Sequence, residues 1–266
     1  MSGATWRHLR AAGRFTTFLV VSFAFAFAYL FTIPLPRRTQ QRVQRLWCGA
    51  VASSAGLEVR ATGEPARGPG AVLYLVNHVS YFDVPAFGAL VDATFVAKSE
   101  VAGWPLFGQF SRLTSTVFIP RRAHRSAEQV QLLKARLAKG ENLILFPEGT
   151  NSDGTDVLPF KSSLLHTASP DVTGVPVTVQ PVSLAFTRLR TGEPLTGELG
   201  DLYAWVGAED MFPHLWRALG GPGAVVRIVF HAPLDAAASR DRKHIARAAE
   251  DAVREGVAAL WRDVAE

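Results

Sequence analysis

Apolar and polar positions divide this chain into stretches of different period. From Phe15 to Ile33, nineteen residues run without a charge, close to the length at which a helix crosses a hydrocarbon core. Arg7, Arg10 and Arg14 precede the run, and Arg37, Arg38, Arg42 and Arg45 follow it. With both flanks basic, charge bias selects no orientation. A segment that dips into one leaflet and returns is then as acceptable as one that spans. A secretory signal is the rival, but the apolar run is longer than a usual signal core. Val43, Leu46, Trp47, Ala50 and Val51 then recur at helical spacing, with Arg42, Gln44 and Arg45 elsewhere on the wheel. That is the pattern of a basic amphipathic helix, lying in the headgroup layer or packed on a domain.

After a Gly/Pro connector at residues 61–70, short apolar runs alternate with longer helical patterns. Strands are expected at Ala71–Val76, Thr94–Ala97, Thr116–Ile119, Leu143–Phe146, Val175–Phe186 and Ala224–Phe230. Helices are expected at Ala127–Leu137 and Arg240–Trp261, the latter with Ser239 as N-cap and an apolar stripe of Ile245, Ala248, Ala252, Val257 and Leu260. The alternation predicts an α/β fold: a central mixed, partly parallel sheet flanked by helices, with an N-terminal membrane-attached helical segment.

Composition narrows the chemistry. With 266 residues, 48% of them hydrophobic, the chain can bury a full core. Its net charge of +5 suits an anionic partner, nucleic acid or an anionic membrane surface. No helix clusters Arg and Lys on one face with interleaved aromatics, so nucleic acid is not expected. Cys48 is the only cysteine, which excludes an internal disulfide and a cysteine-based metal cluster. The seven histidines form no H-E-x-x-H spacing, and no metal is expected. G-x-S-x-G and the phosphate-loop pattern are both absent. Cys48 lies on the membrane-proximal segment and reads as packing. Without an evident nucleophile, direct transfer to an acceptor oxygen is the simpler chemistry.

Sites in α/β sheets collect at the carboxyl ends of strands. Asn77-His78-Val79-Ser80-Tyr81-Phe82-Asp83 follows the first such strand, and Phe146-Pro147-Glu148-Gly149-Thr150 the fourth. On a continuous helix His78 and Asp83 would point about 140° apart, so they meet only if the chain turns between them. Asp83-Val84-Pro85 reads as a helix start with Asp83 at the N-cap. The carboxylate can then hold one imidazole nitrogen and leave the other free to take a proton. Taken alone, H-x4-D also describes a loop histidine beside a capping aspartate. Glu148 can accept hydrogen bonds from hydroxyls, and Gly149 lets backbone approach a substrate. Arg121, after a strand, and Lys161, at an expected helix start, are candidate phosphate ligands or ordinary surface cations.

In this order and spacing, N-H-V-S-Y-F-D, S-T-V-F-I-P-R, F-P-E-G-T and V-P-V-T-V-Q-P-V resemble the motifs of the glycerolipid acyltransferase family, and of bacterial 1-acylglycerol-3-phosphate acyltransferases in particular. The resemblance spans about residues 35–230. It implies an αβ acyltransferase domain over residues 59–266 behind an anchor and amphipathic helix over 1–58. It implies a site facing the cytoplasm at the bacterial inner membrane, an acyl-CoA or acyl carrier protein donor, and no bound cofactor. Carried over by position, His78 is the base and Asp83 its partner, while Arg121, Glu148, Gly149 and Thr150 bind the acceptor; Lys161 is added from its own position. The implied reaction acylates the sn-2 hydroxyl of 1-acylglycerol-3-phosphate for phospholipid synthesis. Two departures bear on the acceptor: Asn151 stands where the third motif often has Arg, and Pro120 where the second often has an acidic residue. F-P-E-G-T-N-S-D-G with P-F-K-S-S is similar to the branch containing lyso-ornithine lipid acyltransferases, the leading alternative. A non-catalytic membrane adaptor and a lipid hydrolase are the rivals from other classes.

Overall fold

The computed structural model describes residues 3–68, 70–119, 126–163, 165, 173–207, 209–234 and 242–265. Helices α1 (Gly3–Leu30) and α2 (Arg37–Ser54) lead into β1 (Leu57–Thr62), β2 (Ala71–Val76), α3 (Asp83–Gly88), β3 (Thr94–Lys98), α4 (Phe107–Leu113), β4 (Val117–Ile119), α5 (Ser126–Ala138) and β5 (Leu143–Leu145). The long strand β6 (Val177–Leu189), α6 (Met211–Gly220), β7 (Ala224–Phe230) and α7 (Arg242–Ala265) complete the chain. One seven-stranded sheet runs β1-β7-β6-β2-β5-β3-β4. Its neighbours are parallel except β6 and β7, which is the mixed, partly parallel sheet the alternation predicts.

β2 explains why the core has two layers. All six of its residues are buried, as expected of a strand covered on both faces. Val72, Tyr74 and Val76 join the layer under α2, α3 and α6, while Ala71, Leu73 and Leu75 join the layer under α5 and α7. The alternation is the two-residue side-chain period of a strand.

Several expected elements shift. Ser239 and Arg240 lie outside the described residues, and α7 begins at Arg242. Its buried stripe is Ile245, Ala249, Val253, Val257 and Leu260, one residue from the expected Ala248 and Ala252. The expected boundary between residues 58 and 59 falls inside β1, which pairs with β7 from Leu57↔Ala224 onward.

α1 and α2 form an antiparallel hairpin. Near its tip Arg37 Nη1 donates to Tyr29 Oη at 3.0 Å, and further along Trp47 Nε1 donates to Ser22 Oγ at 3.1 Å. Ala11, Phe18, Ser22, Phe25 and Tyr29 of α1 are buried, while Val20, Phe23, Phe27, Leu30 and Phe31 are exposed. Arg10 and Arg14 donate to the Gly221 carbonyl, and Arg14 also to that of Leu219. α1 is therefore docked near both ends, and its apolar outer stripe is left facing outward. α2 turns away from the expected wheel in part: Gln41, Gln44 and Cys48 are buried together with Val51 of the expected apolar face, while Leu46 is exposed. Gln41 can go inside because its amide donates to Thr94 Oγ1 at 3.0 Å, which meets the cost of burying it.

Candidate active site

β2 ends at Val76, and the chain leaves the sheet through a buried asparagine. Asn77 Nδ2 donates to the Leu184 carbonyl at 2.8 Å, and its Oδ1 accepts the Leu184 N–H at 2.7 Å. That pair fixes the departure point against β6. The loop then tightens: Ser80 Oγ accepts the Phe82 N–H at 3.1 Å, and the Ser80 carbonyl accepts the Asp83 N–H at 3.1 Å. This turn is what brings His78 and Asp83 together.

Asp83 is the first residue of α3 and Phe82 the capping residue before it, so the expected N-cap role for Asp83 is not the one observed. Its carboxylate faces back into the loop. Oδ2 receives His78 Nδ1 at 2.7 Å, the Val79 N–H at 2.7 Å and the Ser80 N–H at 3.0 Å. A carboxylate only accepts, so Nδ1 carries the imidazole hydrogen and Nε2 keeps its lone pair. Asp83 is fully buried, and its Oδ1 lacks a hydrogen-bond partner. The Phe146 ring stacks on the imidazole at 4.1 Å between centroids. One face of the imidazole is therefore covered, and its carboxylate partner is buried.

The strand-β5 loop grips the same backbone. Glu148 Oε1 accepts the His78 N–H at 2.7 Å, and Oε2 accepts the Leu158 N–H at 2.9 Å. The Ser152 N–H donates to the His78 carbonyl at 2.8 Å. Burial raises the Glu148 pKa to about 7, against the two backbone donors that lower it. Both backbone groups of His78 are thus held by residues of the 146–152 loop. This arrangement can hold an imidazole as proton acceptor beside an acyl carbon; among the described residues no serine or cysteine side chain is bonded to the His78 ring, the Ser80 and Ser152 hydroxyls being turned to backbone groups. Cys48 is buried and its thiol is pushed up to about 12 by burial, consistent with packing.

Comparison with known proteins decides the family. The acyltransferase family model matches residues 58–184. A lyso-ornithine lipid O-acyltransferase of Brucella abortus is 36% identical over 232 residues, covering 86% of each chain. The chain belongs to the acyltransferase family. A 1-acyl-sn-glycerol-3-phosphate acyltransferase of Neisseria gonorrhoeae is 33% identical over 84% of this acyltransferase and 83% of its own length. The crystal structure of PlsC, the 1-acyl-sn-glycerophosphate acyltransferase of Thermotoga maritima, matches with a TM-score of 0.69 and 21% identity, covering 96% of this chain and 97% of that one. That likeness speaks to the fold. The protein is thus an acyltransferase of the glycerolipid and lysolipid type, with a lysolipid acceptor and an acyl donor.

The acyltransferase distributes the other expected ligands unevenly. Arg121 lies outside the described residues. Gly149 has φ of 68°, and a Cβ there would come within 2.7 Å of Lys161 Nζ, so the lysine lies along the glycine. Thr150 and Lys161 are exposed. Among the described residues no helix starts at Lys161: the chain turns at Ser162 and Ser163, and the Lys161 N–H donates to the Pro147 carbonyl at 2.9 Å. That bond ties Lys161 to the 146–152 loop. Asn151 Nδ2 donates to the Trp205 carbonyl at 3.1 Å. Asn77, Phe146, Ser152 and Trp205 were not singled out by chemistry in the sequence. Phe146 and Asn77 sit inside the quoted motifs; Trp205 carries no local signal.

Proposed function

We propose that this protein transfers an acyl group from a thioester donor, acyl-CoA or acyl carrier protein, to the hydroxyl of a lyso-ornithine lipid. The observation that carries the choice of acceptor is Asn151. It occupies the position after F-P-E-G-T where an arginine would serve a phosphate, and its amide is spent on the Trp205 carbonyl. An ornithine headgroup carries no phosphate, and its own ammonium already balances its carboxylate. The 36% identity to the Brucella protein and the 37% identity to a lyso-ornithine lipid O-acyltransferase of Rhizobium meliloti support the same acceptor. A second reading, acylation of 1-acylglycerol-3-phosphate, is favoured by the exposed Lys161 beside Gly149, a cation available to a phosphate.

The chemistry is the same for either acceptor. His78 Nε2 takes the hydroxyl proton, and the oxygen bonds to the thioester carbonyl carbon. The tetrahedral intermediate collapses with cleavage of the C–S bond, and the leaving sulfur receives the proton from the imidazolium. Asp83 holds the tautomer and offsets the charge that forms on the ring. General-base catalysis of this kind contributes on the order of 10²–10⁴-fold. The outward stripe of α1, which alone among the described helices is long and apolar enough to cross a bilayer, supports a hairpin seated in one leaflet. The basic flanks support the cytoplasmic face of a bacterial inner membrane.

The test is a panel of acceptors presented with one acyl thioester, with products separated by thin-layer chromatography. Acylated ornithine lipid as the main product is expected. Preferred formation of phosphatidic acid would move the assignment to the second reading, and release of free fatty acid without acceptor would mark a hydrolase.

A further inference from the structure

Between the base and its carboxylate lies Tyr81, and its hydroxyl is held from the far end of the chain. Tyr81 Oη is 2.6 Å from His214 Nδ1, and His214 Nε2 is 3.0 Å from the Ala204 carbonyl. A carbonyl only accepts, so Nε2 carries the hydrogen. Burial lowers the His214 pKa, which keeps the ring neutral. Nδ1 is then bare, and the tyrosine donates to it. The imidazole is fully buried and packs edge-on to the Tyr81 ring. A polar side chain in such a place is retained only when its bonds are made.

We infer that His214 is a positioning residue of the transfer reaction, fixing Tyr81 and through it the turn that sets His78 against Asp83. Three contacts carry the inference. The Tyr81 ring packs edge-on to Trp205, whose N–H donates to the Val79 carbonyl at 3.1 Å. Tyr81 and Trp205 therefore grip the turn on both sides of Ser80, whose N–H donates to Asp83. The Tyr81 carbonyl accepts the Val84 N–H at 3.3 Å, so a shift of Tyr81 moves the start of α3, where Asp83 sits. His214 rides on α6, whose Phe212 and Trp216 pack edge-on to Phe15 of α1. The catalytic turn is thus braced, through a single histidine, against the helix that carries the anchor.

The inference rests on the acyltransfer reading for its kinetic arm and on geometry alone for its spectroscopic arm. Tyr81→Phe removes the donor. In His214→Asn the side-chain oxygen falls near the position of Nδ1 and can still accept from Tyr81; in His214→Gln the amide can satisfy the Ala204 carbonyl but leaves Tyr81 without an acceptor. Transfer kinetics and histidine-selective ¹⁵N spectra are measured on each full-length variant in detergent. Tyr81→Phe and His214→Gln are expected to lower kcat by about 10- to 100-fold with KM for the lysolipid little changed, the scale of a displaced catalytic group. His214→Asn should recover most of that loss, the double variant Tyr81→Phe/His214→Gln should be no slower than either single one, and the His78 ring resonances should move in both impaired variants. Unmoved His78 resonances would overturn the inference whatever the wild type acylates. So would wild-type kcat in both variants, or Asn and Gln proving equally impaired. Absence of transfer by the wild type would count against the function instead, and the His78 resonances would then decide the inference.

Discussion

Glu148 is bonded to His78 through the backbone, not through its ring: one carboxylate oxygen accepts the His78 N–H at 2.7 Å, and the other accepts the Leu158 N–H at 2.9 Å. Both oxygens are therefore engaged before any acceptor lipid arrives. The geometry makes Glu148 a clamp on the His78 peptide. Its ionised form accepts from both amides more strongly than the protonated form, in which one oxygen carries a hydrogen.

That clamp has an opposite sign for stability and for activity. The folded pKa of about 7 lies above the ordinary 4.5, so between those values the folded chain holds a proton that the unfolded chain has released. Stability contributed by this group is full below about 4.5 and is lost as pH rises through about 7, a change of about 3 kcal/mol. Activity should rise across the same window as the carboxylate ionises. Glu148→Gln should flatten this part of the stability profile while lowering kcat about tenfold or more, since one amide N–H then faces an NH₂ group. Chemical denaturation between pH 4.5 and 8 checks the first outcome and initial rates the second. An unchanged stability slope in the variant would refute the assignment.

His78→Ala is expected to abolish transfer and leave vesicle binding intact, because the imidazole lies in the loop after β2 and the anchor is docked by Arg10, Arg14 and Arg37. Asp83→Asn should lower kcat by about 10²–10⁴-fold without abolishing it. Oδ2 alone takes the His78, Val79 and Ser80 donors, and an asparagine oxygen can stand in its place, but it carries no full charge to offset the imidazolium that forms in transfer. Purified variants assayed with lysolipid and acyl thioester give both numbers, and a wild-type rate for Asp83→Asn would exclude the pairing from the mechanism.

Asn77→Ala should cost about 2–4 kcal/mol of stability, because the Leu184 N–H and carbonyl are both left buried and unpaired. Asn77→Asp should be at least as severe: one oxygen still accepts the N–H, but the other faces a carbonyl. Thermal unfolding in detergent checks the order. A change within about 0.5 kcal/mol for Asn77→Ala would mean that the loop is held elsewhere.

Legibility in the sequence followed range. Strands β2 to β7 and the H-x4-D pair were readable because apolar runs and a five-residue spacing are local signals; β1, in which only Leu57 is buried, carries no such run and was not expected. The turn that joins the pair was implied by Asp83-Val84-Pro85, although the carboxylate turned out to serve the loop and not the helix. The Asn151–Trp205 bond was not readable, since its partners lie far apart in the chain and nothing local marks them; α6 was missed although Asp210 before it and Gly221 after it bound an apolar face. α2 misled for a physical reason. Gln41 took the buried face because Thr94 and Asn142 offered acceptors there, and Leu46 was released outward. A polarity wheel has no knowledge of what stands opposite.

The outward stripe of α1 makes membrane attachment testable. Phe27 and Phe31 are exposed and touch each other edge-on at 5.2 Å between centroids. Phe27→Ser/Phe31→Ser should weaken binding to anionic vesicles tenfold or more, at about 1.5–3 kcal/mol for each buried aromatic lost, with thermal stability in detergent unchanged. Phe25→Ala should do the reverse. Phe25 stacks on Trp47 at 5.0 Å and is buried, so its loss should destabilise by about 3–5 kcal/mol. Flotation and thermal unfolding separate the two faces, and equal vesicle binding by the double serine variant would sink the proposed seating.

Asn151 puts the choice of acceptor within reach of one substitution. The residue sits half-buried beside exposed Thr150, and only its bond to the Trp205 carbonyl ties it inward. Asn151→Arg breaks that bond at a cost of about 1 kcal/mol and places a guanidinium in the same loop as Gly149 and Lys161. A guanidinium pairs bidentately with a phosphate, whereas an ornithine headgroup sets an ammonium beside its carboxylate and offsets the attraction. The ratio of kcat/KM for 1-acylglycerol-3-phosphate over lyso-ornithine lipid should therefore rise about tenfold or more, through KM for the phosphate acceptor. The comparison is internal to one enzyme preparation, so a general loss of activity cancels from the ratio. An unchanged ratio with the fold intact would show that the headgroup is read by other residues and would remove the main support for the lyso-ornithine assignment.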